Sequence, residues 1–242
     1  MKIEQKSMAY SKENIYDFDN NIILHEYPRM IMKYSREQGE LSELKLLELG
    51  LGHGYSAEMF MDQFQKYTVL DGDIDIINKF NREHLGHMID IRHTFFEKYE
   101  TSIKFDLIVM GFVLEHVDDP LYIIKKYKSF LKKEGRMYIA VPNAEALNRR
   151  LGYEAGLLSD LQQLSQSDID LGHKRYFTLD SISDMVKEAG MRIKTIDGIY
   201  LKPFTTKQII SLNLDDSIMK ALCRVGREYP ELSLGILLQC EL

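Results

Sequence analysis

The chain has 242 residues, 45% of them hydrophobic, which is enough for one large domain with a sizeable buried core. Its 37 acidic residues outnumber 31 basic ones for a formal charge of −6, so there is no overall positive field to draw in nucleic acid or an anionic membrane. Cys223 and Cys240 stand in neither a metal-binding nor a redox spacing, which argues against a disulfide scaffold and fits a reducing, cytoplasmic setting.

The opening stretch MKIEQKSMAYSKEN lacks the apolar core of a signal peptide, and LIVMGFVL at 107–114 falls well short of the ~20 residues of a membrane span, so neither export nor insertion is expected. Residues 1–43 are expected to form an N-terminal helical segment outside the core. Within it, YDFDNNIILHEYPRMI at 16–31 reads as an amphipathic helix or as a segment that closes over a site. The core domain then spans 44–242. A first strand is predicted over Leu44–Leu49, a helix over Tyr55–Phe64 burying Met59, Phe60 and Phe64, and a second strand over Tyr67–Leu70. A helix from Ile74 to His84 and a short strand over Met88–Ile91 follow, then an unbroken apolar strand over Phe105–Phe112 that fits burial on both faces.

Asp118 or Asp119 can cap the next helix, Pro120 suits its first turn, and Ile124, Tyr127 and Leu131 share one face. In KKYKSFLKK at 125–133 the basic residues are spaced as on a solvated helix face, not as a nucleic-acid patch. Arg136–Val141 makes a fifth strand. Thr178 can cap a helix that buries Leu179, Ile182, Met185 and Val186 and ends at Gly190, before strands over Arg192–Ile199 and Leu234–Cys240. Residues 143–177, poor in strand signal, look like a cap inserted over the site. About seven strands alternating with helices predict an α/β fold with a doubly wound sheet, which binds ligands beyond the carboxyl ends of its strands.

Gly50, Gly52 and Gly54 follow the first strand directly, where a sharp turn into a helix N-terminus brings the backbone close to a nucleotide-like ligand. The spacing is G-x-G-x-G; Tyr55 stands where a dinucleotide fingerprint has its third glycine, and no Walker lysine follows. Asp71, 21 residues beyond Gly50, ends the second strand, where a carboxylate can accept from both ribose hydroxyls; the alternative is a turn residue in LDGDID.

The ordered set ELGLGHG at 48–54, VLDGD at 69–73, FFEKYE at 95–100, FDLIVMGFVLEHVDDP at 105–120 and GRMYIAVPN at 135–143 resembles the class I S-adenosylmethionine-dependent methyltransferases. The turn DGD and the segment GHKRYF resemble a branch that acts on sugars and other small metabolites. The resemblance implies a Rossmann-like sheet in the order 3-2-1-4-5-7-6 with the last strand antiparallel. It implies that Glu48, Gly50, Gly52 and Gly54 surround the methionine moiety, that Asp71 faces the ribose, that Gly72 also belongs to the cofactor site, that Phe96 and Glu97 flank the adenine, and that Met110 and Gly111 face the donor.

A sulfonium methyl is already activated, so the protein chiefly has to align an acceptor; a hydroxyl acceptor also gains from a base, for which histidine is suited. Of seven histidines, His116 follows the fourth strand beside the expected methyl position, and His173 lies in GHKRYF with Lys174, Arg175 and Tyr176. Both are candidate bases, and the bland alternatives are a loop residue orienting the next helix and a surface loop. Lys174, Arg175 and Tyr176, joined by Lys202 from YLKPF, read as a site for an anionic acceptor, phosphorylated or nucleotide-linked. Helix capping accounts for Asp118 and Asp119 beside His116 more simply than a metal, and no obligatory metal is expected.

The expected activity is methyl transfer from S-adenosylmethionine to a hydroxyl of a small polar metabolite, a sugar or nucleotide-linked precursor of a surface glycan by the branch resemblance. Rivals are transfer to nitrogen, an NAD-dependent oxidoreductase on a similar sheet, and a donor-binding subunit without activity of its own. An oligomer is compatible with the apolar stretch LSLGILLQCEL, which reads equally as an edge strand, a core strand or a dimer seam.

Overall fold

Alternate residues of each central strand enter two different cores, one on each face of a single sheet. Leu47, Leu49, Ile108, Met110, Met137 and Ile139 pack on one side, and Leu46, Leu107, Val109, Tyr138 and Ala140 on the other. The computed structural model describes residues 17–86 and 89–242. Its strands are β1 Lys45–Leu49, β2 Lys66–Asp71, β3 Asp90–His93, β4 Phe105–Gly111, β5 Leu131–Pro142, β6 Arg192–Ile199 and β7 Gly235–Glu241. They lie in the order β3-β2-β1-β4-β5-β7-β6, with β7 antiparallel to both neighbours and the other pairings parallel. The C-terminal apolar stretch is therefore an interior strand of the sheet. Among the described residues, no helix is long and apolar enough to cross a membrane.

The helices are α1 Asp17–Ser35, α2 Tyr55–Phe60, α3 Ile74–Glu83, α4 Pro120–Lys128, α5 Leu147–Glu154, α6 Gln166–Leu171, α7 Leu179–Glu188, α8 Thr206–Ser211 and α9 Asp216–Glu228. Ile123, Ile124 and Tyr127 of α4 and Ile182 and Val186 of α7 fill the first core, while Ile23, Tyr27, Met30 and Ile31 of α1 join Phe60 and Phe80 in the second. Asp119 caps α4 by accepting from the Tyr122 amide at 2.9 Å, and Thr178 and Ser181 form a capping box on α7.

Several predicted boundaries move. The helix expected over Tyr55–Phe64 stops at Phe60, because Met61 turns extended and Asp62 adopts φ 62°; Phe64 still packs on the second core from the loop. Leu131 starts β5, where it pairs with Phe105, so a bulge lengthens that strand toward its N-terminus. The third strand runs from Asp90; Met88, its expected start, lies outside the described residues.

One buried ion pair ties α1 to the loop after β6. Lys202 Nζ lies 2.6 Å from Asp19 Oδ2 and 2.8 Å from Thr206 Oγ1, with both charged side chains almost fully buried. Removing one partner of such a pair strands the other charge, which typically costs about 3–5 kcal/mol. Lys202→Met is therefore expected to lower unfolding free energy by about that amount, and Lys202→Met with Asp19→Leu to recover much of it. Urea denaturation checks this; equal stability of the single variant and the parent would contradict it.

Candidate active site

Past Leu49 the chain bends through Gly50, Gly52 and Gly54, with φ values of 83°, 50° and 84° that disfavour side chains with a Cβ. A Cβ added at Gly50 would come 2.8 Å from Val113 Cγ1, and one at Gly54 would come 2.9 Å from the Phe80 ring. The Gly50 amide donates to the Leu70 carbonyl at 2.8 Å, and Gly54 ends the bend at the start of α2. The Asp71 carboxylate accepts from the Leu51 amide at 2.8 Å through Oδ2 and from the Asp73 amide at 2.7 Å through Oδ1. It thus holds the glycine bend and the turn after β2 together, and each oxygen keeps a second lone pair. Asp73 caps α3 through the Asp75 amide at 3.0 Å.

A cavity of about 780 Å³ opens over this bend, within the usual range for small-molecule sites. Its wall includes the three glycines, Asp71, Phe96 and Gly111, together with Tyr27 from α1. Tyr27 presses against Gly111 so closely that a Cβ there would collide with the phenol, and its ring meets Phe112 edge-on at 5.7 Å. Four expected donor contacts lie off the wall. Glu48 is sealed beneath the bend with a hydrogen bond from Tyr67, and burial pushes it up to about 7. Met110 belongs to the first core, Glu97 is exposed on a turn, and Gly72 backs onto the Phe95 ring.

Across the cavity His116, from the loop after β4, meets His173 at a ring-centroid distance of 4.7 Å, nearly perpendicular. His173 Nδ1 lies 3.1 Å from Asp168 Oδ1. The two imidazoles are driven apart in acidity. Burial, helped by the charge of His173, lowers His116 to about 4. Burial also works against charging His173, but the Asp168 carboxylate and Glu115 outweigh it and raise His173 above its ordinary value. Asp168 stays ionised at about 2, because the adjacent His173 and hydrogen bonds from Ser165 and Tyr176 outweigh its burial. At neutral pH this leaves a neutral imidazole beside a readily protonated one, a pattern expected of acid–base sites.

The sequence-predicted cations do not gather at the cavity. Lys174 pairs with Asp118 and Arg175 donates to the Asp118 carbonyl at 3.2 Å, so both turn toward the α4 entrance, where Asp118 binds them and leaves capping to Asp119. Lys202 reaches the wall, but within its pair with Asp19. Tyr176 lines the cavity and donates to Asp168 Oδ2 at 2.8 Å. Polar wall residues that the sequence does not single out include Asp168, Arg149 and Glu115. Asp168 stands five places before His173, a spacing that one turn and a glycine can fold back, which was the signal for it.

Glu115 is completely buried, and neither carboxylate oxygen has a hydrogen-bond partner among the described residues. It places a ligand atom within 4.8 Å of those of His116 and His173, so the three could hold a divalent ion as well as move a proton. Burial pushes Glu115 up to about 7. Because the folded value lies above the unfolded one, its contribution to stability is complete below the ordinary carboxylate range and is lost as pH rises through about 7. Glu115→Gln is therefore expected to gain stability relative to the parent between pH 5 and pH 8, by up to about 3 kcal/mol. Denaturation at several pH values checks this, and a difference that ignores pH would contradict it.

Comparisons with known proteins bear on this site as a whole. A family model described as a methyltransferase domain matches residues 21–196. A ubiquinone biosynthesis O-methyltransferase of Parvibaculum lavamentivorans is 27% identical over 224 residues, covering 85% of each chain. One from Actinobacillus pleuropneumoniae is 27% identical over 172 residues, covering 67% of this chain and 72% of its own. Among solved structures, the N-methyltransferase NodS of Bradyrhizobium japonicum, in complex with S-adenosylhomocysteine, superposes with a TM-score of 0.61 at 14% identity, covering 98% of this chain and 96% of its own. Magnesium protoporphyrin IX methyltransferase of Synechocystis gives a TM-score of 0.64 at 12% identity, covering 98% of this chain and 92% of its own. With the glycine bend, the antiparallel seventh strand and a family match across most of its length, this chain belongs to the class I S-adenosylmethionine-dependent methyltransferases.

Proposed function

We propose that the protein moves a methyl group from S-adenosylmethionine to a hydroxyl oxygen of a small, polar, anionic acceptor. The observation that carries this reading is the Asp168–His173 pair beside a neutral His116 on the wall of the cavity. The glycine bend suits the donor: packing against Val113 and Phe80 requires glycine at 50 and 54, while at Gly52, on the cavity wall, nothing of the protein lies within 4 Å of an added Cβ, which leaves the backbone open to a ligand. The bend amides would hold the amino-acid part, Asp71 the ribose hydroxyls and Phe96 a face of the adenine. The donor supplies a methyl already activated on sulfonium; the chain supplies alignment, exclusion of water and a place for the acceptor's proton.

His173 is the better base of the two histidines. Asp168, 3.1 Å from Nδ1, steadies the imidazolium that forms, leaving Nε2 to take a hydroxyl proton. His116, lowered to about 4, stays neutral through the physiological range and has less appetite for a proton. Residues 143–177, with α5 and α6, act as the cap that carries Asp168 and His173 to the cavity, and α1 covers the donor side through Tyr27. The O-methyltransferase names of the relatives support oxygen as the acceptor atom. Those names refer to ubiquinone biosynthesis and lend nothing to a glycan precursor. Transfer to nitrogen is the second reading, because a free amine needs no base.

Two outcomes follow for the isolated enzyme with its acceptor. The rate of methyl transfer rises with pH through an apparent pKa above the ordinary histidine value, and His173→Gln loses both that limb and about 10²–10⁴-fold in turnover. A parental pH profile retained in His173→Gln would remove His173 as the base. Turnover is expected to survive exhaustive chelation; loss restored by one divalent cation would assign Glu115, His116 and His173 to an ion instead.

A further inference from the structure

We propose that Arg149 forms the acceptor's anion subsite, so that the acceptor carries a carboxylate or phosphate group next to the hydroxyl that is methylated. This rests on the methyl-transfer reading above and names the substrate class for that same cavity. Arg149, on the first turn of α5, is buried and lines the cavity. Its Nε donates to the Ala144 carbonyl at 3.1 Å, and its Nη2 to the carbonyls of Leu161 and Gln163 at 2.8 and 2.7 Å. Nη1 makes no hydrogen bond to the described residues, and no acid among them pairs with the guanidinium.

The other buried cations on the wall differ, and Lys207, which also lines the cavity, is exposed to water. Lys202 is neutralised by Asp19, and His173 by Asp168. Arg149 alone of these three keeps a buried positive charge whose hydrogen bonds all go to neutral carbonyls, a costly arrangement unless an anion completes it. Neutral amide donors would tie down the same carbonyls without that charge. A planar guanidinium with a free edge is the group suited to hold a carboxylate or phosphate.

Two neighbours fix where the anion sits and what lies beside it. The guanidinium rests 4.1 Å over the Tyr176 ring, and the Tyr176 hydroxyl donates to Asp168, the partner of His173. An anion on Nη1 is therefore linked to the base through one ring and one carboxylate, which sets the reacting hydroxyl close to the acidic group of the same molecule. Asn148, also on the wall, has a buried Oδ1 with no donor among the described residues, and a ligand hydroxyl would satisfy it. A hydroxylated oxyanion meets both needs.

Protein saturated with S-adenosylhomocysteine is titrated calorimetrically with inorganic phosphate and, separately, with acetate, using the parent, Arg149→Lys and Lys174→Met. Saturable binding of one or both anions is expected, weakened roughly tenfold or more in Arg149→Lys and unchanged in Lys174→Met, with S-adenosylhomocysteine affinity retained in all three. Whichever anion binds more tightly separates a phosphorylated from a carboxylic acceptor. Displacement of the Arg149 Nε–Hε resonance of the parent by the same anion gives a reading that does not rely on the variant folding. Binding of S-adenosylhomocysteine with no saturable anion binding, or equal anion affinity in Arg149→Lys, would overturn the subsite while leaving methyl transfer intact. Failure of S-adenosylhomocysteine itself to bind would sink the methyl-transfer reading and the subsite with it.

Discussion

The Asp71 carboxylate is the knot of this molecule. It receives the Leu51 amide on one oxygen and the Asp73 amide on the other, and so fastens the bend after β1 to the turn after β2. Three positive-φ glycines at alternate positions make a stretch that is entropically costly to order. Here they are pinned between a carboxylate, the Leu70 carbonyl and the start of α2. With the bend fixed, the cavity has a rigid floor. The parallel strands β1, β2 and β4 deliver the bend, Asp71 and Gly111 to it from their carboxyl ends.

Above that floor the wall is a set of polar groups whose burial decides their chemistry. The same loss of water that pushes Glu115 up to about 7 pulls His116 down to about 4. Asp168 escapes the trend because the Ser165 amide, the Ser165 hydroxyl and the Tyr176 hydroxyl all donate to it, and by staying charged it raises His173. The reactive pair therefore depends on a short segment, Ser165 to Tyr176, folded so that one carboxylate collects a hydroxyl, a phenol and an imidazole. Alignment does the rest of the work, since a sulfonium methyl needs an acceptor held in line more than it needs further activation.

The sheet was largely legible because its strands are short apolar runs set off by glycines and amphipathic helices, and burial on both faces leaves little room for another period. Local signals failed where tertiary contacts decide. Nothing in YSAEMFMDQF marks a helix end at Phe60, because the stop is a left-handed Asp62, not a glycine or proline. The basic cluster in GHKRYF suggested a shared anion site, yet neighbours in sequence fan out around a loop. Lys174 and Arg175 go to Asp118, and Tyr176 goes to the cavity. Arg149 and Glu115 were invisible for the opposite reason: a helical arginine and a loop glutamate look solvated until the fold encloses them.

In the proposed function, the glycine bend and Asp71 together hold an adenosyl amino acid. Isothermal titration of the purified chain with S-adenosylhomocysteine, run beside NADH, tests it most directly. One S-adenosylhomocysteine bound per chain is expected, with no heat of binding for NADH. Saturable binding of NADH, with none of S-adenosylhomocysteine, would contradict it.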